Sequence, residues 1–463
     1  MGPHGADGPR AAQATPNGPS VGVVGGGIGG LSAALSLLQA GFDVRVYEQA
    51  PMLGEVGAGL QVSPNAARVL HRLGLADALA RNGVPPLAWH QRRWDDGRTL
   101  LRTPLAGSLE ATFGFPQYQI HRADLLAALA DALPADRVHL DHQLTGLVDH
   151  GDHVQARFAN GAHAEADVLV GADGIHSVVR SLLFGPQEPH FTGCVAYRGL
   201  VPADRLADLR LEVTAQLWMG PGGHFVHYFV RDRRLLCFVA IVEQDTWTRE
   251  SWTERGHLAD AQAAFAGWHP QVRAIMAASG DAFRTALFER PPLPRWSVGR
   301  VTLLGDACHP MLPFIAQGAA QAIEDGATLT ACLTAAGSDI GAALGRYQRL
   351  RLPRTSRLQA LSAANKTRLH LPDGPRQQAR DAELATGTTD WSVGTVAWIY
   401  EHDPAILDLA RSPGLMGTGV RALWSQPARE SPWEPCRCLS PGWRARSGRW
   451  WRSGGFDAKA DRV

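Results

Sequence analysis

Residues 20–48 constrain the fold of this chain more than any other stretch. Val21–Val24 is an apolar run with the length of one buried parallel strand. A series of apolar residues at helical spacing follows, and a second apolar run then ends in Glu48. Between the first run and the helix stand three glycines in the spacing G-x-G-x-x-G: Gly25, Gly27 and Gly30. The order of strand, glycine turn, helix, strand and acid predicts a βαβ unit that binds a dinucleotide.

The residues of this unit have separate physical roles. Gly25 permits a tight turn, Gly27 lets a pyrophosphate approach the backbone, and Gly30 lets the helix pack closely on the strand. The N-terminus of the helix offers amide donors and the positive end of a dipole to phosphate. Glu48 can accept hydrogen bonds from a ribose. The alternative is a glycine-rich strand–turn–helix that holds no ligand.

Composition excludes several classes of protein. The chain has 463 residues, which is enough for two or three domains with a large core. Its 45 Lys and Arg residues balance 44 Asp and Glu residues, so we expect neither nucleic acid nor a membrane surface as a partner. The six cysteines form no C-x-x-C pair and no disulfide framework, so we predict a cytoplasmic protein without a bound metal.

Two further motifs repeat the pattern of an apolar strand that ends in glycine and an acid. Val168–Val170 runs into Asp173-Gly174, and Val301–Leu304 runs into Gly305-Asp306. A cation also stands at a predicted helix start, where Arg122 would oppose the helix dipole. We therefore expect Arg122 to face an anion, and a solvated arginine is the alternative.

A second kind of β structure lies between these motifs. Strands predicted at 193–201, 211–219, 224–230 and 235–242 follow one another with short turns of Gly, Pro and Arg, which indicates an antiparallel sheet. Because side chains alternate between faces, His224 and Tyr228 share one face of the third strand. That face either carries functional groups or is half-exposed with its polar residues in water.

The three glycine motifs together closely resemble the single-component, FAD-dependent aromatic hydroxylases. Within that family, GEVGAGLQVSPNA, AYRGLVP and LLGDACHPMLPFIAQGAAQAIEDGATL are similar to the branch of salicylate hydroxylase, 3-hydroxybenzoate 6-hydroxylase and 6-hydroxynicotinate hydroxylase. The resemblance covers about residues 20–405. Residues 411–463 have no counterpart in it, and Pro313 occupies a loop position where other members of the branch carry different residues.

The resemblance implies an α/β fold in which a Rossmann-like FAD-binding domain is interleaved with a smaller antiparallel-sheet, α+β substrate lobe, followed by C-terminal helices. A long helix from Leu344 to about His370 is predicted, with an interruption at Pro353. The predicted parts are a disordered extension at 1–19, the FAD-binding domain at 20–86, 103–182 and 284–371, the substrate lobe at 87–102 and 183–283, a helical segment at 372–410 and a disordered tail at 411–463.

The resemblance also implies roles for individual residues. Asp306 would hold the ribityl chain of FAD, Arg122 would reach the pyrophosphate, and Asp173-Gly174 would serve both FAD and the reduced nicotinamide. His224 and Tyr228 match a His–Tyr pair that lines the substrate site in the hydroxynicotinate-type enzymes. The predicted cofactor-binding residues are Gly25, Gly27, Ile28, Gly30, Glu48, Gln49, Gly57, Ala58, Arg122, Leu144, Asp173, Gly174, Asp306, Gly318 and Ala319.

The predicted function is an FAD-dependent monooxygenase that uses NADH or NADPH and O2 to hydroxylate a small phenolic or hydroxy-aromatic acid through a flavin hydroperoxide. His224 is the candidate base for the phenol, because an imidazole titrates near neutral pH. The alternatives are an FAD oxidoreductase acting on a non-aromatic substrate and a flavin-binding protein without turnover. A monomer or a homodimer is expected.

Overall fold

The computed structural model describes residues 18–54, 59–245, 255–256, 258–387, 394 and 396–407. The predicted tail at 411–463 lies outside these residues, as does all but the end of the predicted extension at 1–19. Gly57 and Ala58, two of the predicted cofactor-binding residues, also lie outside them.

The secondary structure follows the predicted alternation of strands and helices. The strands are β1 Ser20–Val24, β2 Asp43–Tyr47, β3 Gly59–Val62, β4 Ala88–Arg93, β5 Thr99–Pro104, β6 Tyr118–His121, β7 Val138–His139, β8 Leu144–Asp149, β9 Val154–Phe158, β10 His163–Ala166, β11 Val168–Gly171, β12 His190–Pro202, β13 Ala215–Gly220, β14 Gly223–Val230, β15 Leu235–Glu243, β16 Arg255–Gly256, β17 Ala282–Glu289, β18 Ser297–Val298 and β19 Val301–Leu303. The helices are α1 Ile28–Gln39, α2 Pro64–Arg72, α3 Ala76–Asn82, α4 Ser108–Phe113, α5 Arg122–Asp131, α6 Val178–Phe184, α7 Leu258–Ala264, α8 Pro270–Ala277, α9 Gly318–Ala336, α10 Ile340–Leu369, α11 Pro375–Ala385 and α12 Ala397–Tyr400.

The first sheet has the strand order β18-β19-β11-β1-β2-β7 and is parallel except for β18. Its central strands are buried Val and Leu runs, as expected for strands covered on both faces. Val24 pairs with Gly171, and Gly171 pairs with Leu303, so β1, β11 and β19 end level with one another. The three glycine motifs that follow these strands therefore meet at one edge of the sheet, where ligands bind in α/β folds of this kind.

The second sheet has the order β16-β17-β12-β15-β14-β13-β4-β5 and is antiparallel apart from the pairing of β13 with β4. Strand β13 starts at Ala215, four residues later than predicted. One face of the sheet packs on α7 and α8 through a buried cluster that includes Phe225, Phe238 and Phe265. The opposite face packs on the loop after Asp306 and on the end of α10 through a cluster that includes Ile241, Leu312 and Leu369.

Two features differ from the prediction. Strand β17 pairs with β12, so the second sheet continues to Glu289, whereas the chain was expected to return to the first domain at 284. The predicted interruption at Pro353 is wrong, because α10 runs through this residue. Proline removes one backbone hydrogen bond, but buried ion pairs made by Arg351 and Arg354 hold both sides of it against α9.

The remaining sheets are small. Strands β10, β9 and β8 form one of them, and β3 pairs with β6 in the other. Across the residues that the structure describes, no helix has both the length and the apolar character needed to cross a bilayer.

Candidate functional site

The glycine turn between β1 and α1 shows why glycine is needed at two of its positions. Gly25 has a φ of 111°, and a Cβ added there would lie 2.4 Å from the carbonyl oxygen of Ala172. A Cβ added at Gly30 would lie 2.0 Å from the carbonyl oxygen of Gly25. At Gly27, no described atom lies within 4 Å of such a Cβ, so space is open above the start of α1. This open space at a helix N-terminus fits a phosphate group.

Glu48 follows β2 and lies beside the same turn. Its carboxylate accepts hydrogen bonds from the backbone N–H of Gly26 at 2.5 Å and of Ala50 at 2.9 Å. The acid thus braces the glycine turn at the point where the βαβ unit predicts an adenosine ribose.

Asp173 serves first as a helix cap. Its carboxylate accepts hydrogen bonds from Ser177 Oγ at 2.5 Å and from the backbone N–H of Val178 at 2.7 Å and Val179 at 3.1 Å. Burial raises the pKa of Asp173, and these hydrogen bonds oppose that rise. Gly174 has a φ of 77°, which allows the sharp turn between β11 and α6. The role of the pair in binding FAD and nicotinamide stays a prediction.

A recess between the two sheets is lined by two charged side chains of opposite sign. Asp306 and Arg198 line it together with Thr285, Leu312 and Pro313. Asp306 is exposed to solvent and Arg198 is half-buried. Even so, partial desolvation by the surrounding protein raises the pKa of Asp306 and lowers the pKa of Arg198 to about 10. Protein therefore surrounds these charges while solvent still reaches them, as expected in a ligand cavity.

Arg122, the first residue of α5, interacts electrostatically with both charged residues of this recess. Burial lowers the pKa of Arg122, and the negative charge of Asp306 opposes this change. The positive charge of Arg122 in turn lowers the pKa of Arg198. The guanidinium of Arg122 thus repels that of Arg198, and an anionic ligand in the recess would relieve that repulsion. Arg198 was not predicted as a site residue, because only the strand pairing places it on the same face as His224.

The first turn of α9 lies beside the same recess, because a Cβ added at Gly318 would lie 3.9 Å from the side chain of Met311, which lines it. Gly318 and Ala319 form its first turn, and Gln317 directs its side-chain amide to Ser63 Oγ at 3.0 Å. Beneath this turn, a buried polar network anchors α9, and Glu324 is its centre. Glu324 accepts hydrogen bonds from Asn65 at 2.6 Å and from Arg354 at 2.8 Å. Burial alone would raise the pKa of Glu324, but Arg354 and Arg351 hold it well below its usual range.

A possible ligand set for a cation lies in this network as well. Atoms of Cys308, His309 and Asp325 come within 4.8 Å of one another. The Asp325 carboxylate is already engaged, since it lies 2.6 Å from His309 Nε2 and accepts a hydrogen bond from Arg351 Nε at 2.6 Å. The positive charge of Arg351 makes this cluster part of the ion-pair network and a poor site for a metal ion.

His224 and Tyr228 lie on one face of β14, as predicted, while Phe225 and His227 pack into the opposite cluster around α7 and α8. The His224 ring packs against Phe314, which follows Pro313 in the loop after Asp306, with ring centroids 5.1 Å apart. Tyr228 packs against Cys237, and a Cβ at Gly59 would lie 2.6 Å from its ring. The two residues therefore occupy different ends of the same face.

Two residues near His224 escaped prediction. His224 Nδ1 lies 2.7 Å from His370 Nε2, and His370 Nδ1 lies 3.0 Å from Glu243 Oε1. Burial, and then the neighbouring His370, lower the pKa of His224 well below its usual range. His370 comes 146 residues after His224, so no spacing in the sequence links the two.

The other predicted residues have varied positions. Ile28 is buried at the start of α1, and Leu144 is buried at the start of β8. Gln49 is exposed just after Glu48. Their contacts with a cofactor remain predictions.

Comparisons with known proteins agree with this geometry. The family model described as "FAD binding domain" matches residues 19–362. The chain is 44% identical over 389 residues to 3-amino-4-hydroxybenzoate 2-monooxygenase of Streptomyces platensis, a match that covers 84% of this chain and 97% of that protein. It is 40% identical over 351 residues to 6-hydroxynicotinate 3-monooxygenase of Pseudomonas fluorescens, covering 75% and 91%. Its fold is similar to Klebsiella pneumoniae HpxO complexed with FAD and uric acid, with a TM-score of 0.73, 30% identity and coverage of 82% and 95%.

Proposed function

Since this chain belongs to the FAD-binding family of aromatic-ring monooxygenases, we propose that it hydroxylates a small hydroxybenzoate-type acid with NAD(P)H and O2. Bound FAD, reduced by NAD(P)H, supplies the chemistry that activates O2 and delivers one oxygen atom to the ring. The residues of the chain bind and orient the two ligands and move protons.

The described residues fit FAD at several points. The open N-terminus of α1 at Gly27 suits the pyrophosphate, with Arg122 as its cation, and Glu48 suits the adenosine ribose. Asp306 would accept a hydrogen bond from the ribityl chain. Gly318 in the first turn of α9 would bring amide donors and the positive end of the helix dipole to the flavin ring.

The observation that carries the substrate proposal is Arg198 in the recess, with the charge of Arg122 nearby. Arg198 donates a hydrogen bond from Nη1 to Thr285 Oγ1 at 2.9 Å, which fixes its position on the face shared with His224. A substrate carboxylate beside Arg198 would gain a charge-assisted hydrogen bond and reduce the repulsion from Arg122. An aromatic acid is therefore favoured over a neutral phenol.

His224 is proposed to take the phenol proton. Because Nδ1 is engaged by His370, Nε2 is the ring nitrogen available to a substrate. A phenolate oxygen makes the ring carbons electron-rich, which favours transfer of an electrophilic oxygen atom to the ring. Removing a general base typically slows a reaction on the order of 10²–10⁴-fold.

A substrate screen tests the proposal. The purified holoenzyme is mixed with NADH or NADPH and a set of hydroxybenzoates that starts with 3-amino-4-hydroxybenzoate, the compound in the name of the Streptomyces relative. We expect at least one acid to accelerate NAD(P)H oxidation and to yield a hydroxylated product, whereas the matching phenol without a carboxylate is bound more weakly. If the protein holds FAD but no aromatic acid is hydroxylated, the proposal is wrong and a non-aromatic substrate takes its place.

The roles of Arg198 and His224 are separable in the same assay. Arg198→Met should raise KM roughly 10- to 150-fold for acids, the equivalent of about 1.5–3 kcal/mol for a charged hydrogen bond. His224→Gln should instead lower the ratio of product to hydrogen peroxide at unchanged FAD affinity. An unchanged ratio at every pH would remove His224 from the mechanism.

A further inference from the structure

A chain of hydrogen bonds leads from the face of β14 to the protein surface. It joins His224 Nδ1 to His370 Nε2 at 2.7 Å and His370 Nδ1 to Glu243 Oε1 at 3.0 Å. The three residues come from β14, the C-terminal end of α10 and the end of β15. Three separate elements thus place three proton-carrying groups in one line.

Exposure changes along this line. His224 is 2% exposed and His370 is 4% exposed, whereas the side chain of Glu243 is 44% exposed. Phe314 packs on both imidazoles, with its ring centroid 5.1 Å from that of His224 and 5.9 Å from that of His370. The two histidines are therefore shielded, and the line reaches solvent at Glu243.

The carboxylate at the end of the line determines where the protons lie. A carboxylate accepts hydrogen bonds only, so His370 donates from Nδ1 and keeps its lone pair on Nε2. That lone pair accepts the Nδ1 proton of His224, and the free lone pair of His224 is then on Nε2. Glu243 thus sets both tautomers so that the available nitrogen of His224 is an acceptor.

The burial of His224 creates a need for such a path. Burial lowers the pKa of His224 well below its usual range, so an isolated imidazolium is strongly disfavoured at this position. A proton taken up there must be shared with an anion or passed on. Glu243 is the anion at the other end of the line.

We propose that His370 and Glu243 are the proton outlet of the site, an inference that rests on the proposed function. The O–H bond of the substrate breaks and an N–H bond forms at His224 Nε2. The Nδ1 proton of His224 moves to His370 Nε2, and the Nδ1 proton of His370 moves to Glu243 and then to water. One proton enters and one leaves, no electrons are exchanged, and the substrate is left as a phenolate. Reprotonation of the product runs along the same line in reverse.

Other titratable groups lie near the line but lack its geometry. Lys366 of α10 donates from Nζ to the carbonyl oxygen of Thr192 at 2.6 Å, and its charge lowers the pKa of His370 after the larger effect of burial. Burial raises the pKa of the Cys194 thiol to about 11, so that group stays protonated near neutral pH. The hydrogen bond from His370 to Glu243 raises the pKa of His370 and so opposes the effects of burial and of the Lys366 charge.

The tautomers can be tested without a substrate. Nitrogen-15 NMR of the histidine-labelled holoenzyme distinguishes protonated from bare ring nitrogens, and the His224→Gln and His370→Phe spectra assign the two signals. We expect both rings to carry their proton on Nδ1. A His224 ring protonated on Nε2 in the wild-type protein would overturn the inference.

Proton movement is tested by stopped-flow mixing of the FAD-loaded enzyme with 3-amino-4-hydroxybenzoate in a weakly buffered indicator dye. Glu243→Gln keeps the size of the side chain and leaves the buried histidine pair in place, but an amide cannot carry the proton onward. We expect Glu243→Gln and His370→Phe to slow proton release roughly 10- to 100-fold. This loss is no larger than the smallest loss expected when the base His224 is removed. Asp245→Asn, which removes an exposed carboxylate two residues along the chain, is the matched control and should release protons at the wild-type rate.

The variants also separate this inference from the proposed function. If His224→Gln slows proton release while Glu243→Gln and His370→Phe do not, the outlet is wrong and His224 remains the base. If none of the three slows it, both the outlet and the base are wrong. Slowing in all three, with FAD affinity unchanged, supports the outlet.

Discussion

Replacing Asp306 with Asn should weaken FAD binding and stabilise the apoprotein at the same time. Within the described part of the chain, the carboxylate of Asp306 forms no hydrogen bond with another residue, and burial raises its pKa. A carboxyl whose pKa is higher in the folded state than in the unfolded state contributes most to stability at pH values below its unfolded-state pKa. This contribution is lost as pH rises through its folded-state pKa. At neutral pH the unfavourable ionisation of Asp306 therefore destabilises the apoprotein, and Asn removes the ionisable group.

The effect on FAD has the opposite sign. A buried ribityl hydroxyl that loses a charged acceptor loses about 1.5–3 kcal/mol, which corresponds to a rise in Kd of roughly 10- to 150-fold. Asp306→Ala should show the full effect and Asp306→Asn a smaller one, because the Asn side chain keeps a neutral acceptor. Quenching of flavin fluorescence measures Kd, and urea unfolding of the apoprotein measures stability. The exposed Asp208→Asn variant controls for the change in net charge.

The pH dependence makes this prediction specific. The gain in apoprotein stability should be present at pH 7 and should disappear below about pH 3, where Asp306 is mostly protonated in the folded and unfolded states. Unchanged FAD affinity in both Asp306 variants would remove this residue from the cofactor site. An apoprotein destabilised at neutral pH by Asp306→Asn would contradict the reasoning from burial.

Three further predictions concern the framework of the site. Gly27→Ala should weaken FAD binding but leave apoprotein stability unchanged, because its Cβ meets open space. Gly30→Ala should lower both FAD affinity and apoprotein stability, since its Cβ would lie 2.0 Å from a carbonyl oxygen. Thermal melts of the apoprotein and flavin titrations compare the two variants. Glu324→Gln should lower the free energy of unfolding by about 3–5 kcal/mol, because it leaves the buried Arg354 without its anion and removes one of the two carboxylates paired with Arg351. The exposed Glu110→Gln variant should change little in the same urea titration. Burial lowers the pKa of His227 to about 3, so between about pH 6.5 and 3 the unfolded chain binds a proton that the folded chain does not. The free energy of unfolding should therefore fall as pH falls, by about 2 kcal/mol between pH 8 and pH 5. In urea titrations at several pH values, His227→Phe should remove this pH dependence.

The fold around the glycine motifs could be predicted because its signals are local. The strand, glycine turn, helix and acid of residues 20–48 follow one another directly, and the family and fold class predicted from this unit and the two later motifs are confirmed. The shared face of His224 and Tyr228 also follows from a local rule, the two-residue period of a strand. Each of these inferences needs only the order of residues along one element or its immediate neighbours.

The substrate half depends on contacts that no local pattern encodes. Arg198 reaches the recess because β12 pairs with β15 and β17, and His370 reaches His224 because the end of α10 packs on the second sheet. The continuity of α10 through Pro353 has the same origin. Its local sequence favours a break, but ion pairs from Arg351 and Arg354 to α9 outweigh that preference.

One short connection links the two halves of the site. Asp306 and Pro313 line the same recess, and Phe314, the next residue, packs against His224. Only seven residues thus separate the carboxylate proposed to hold the flavin chain from the ring that packs against the proposed base. The loop that carries Asp306 therefore also forms part of the wall of this recess. Variation at Pro313 can then change the shape of that recess while the glycine motifs of the first sheet stay as they are.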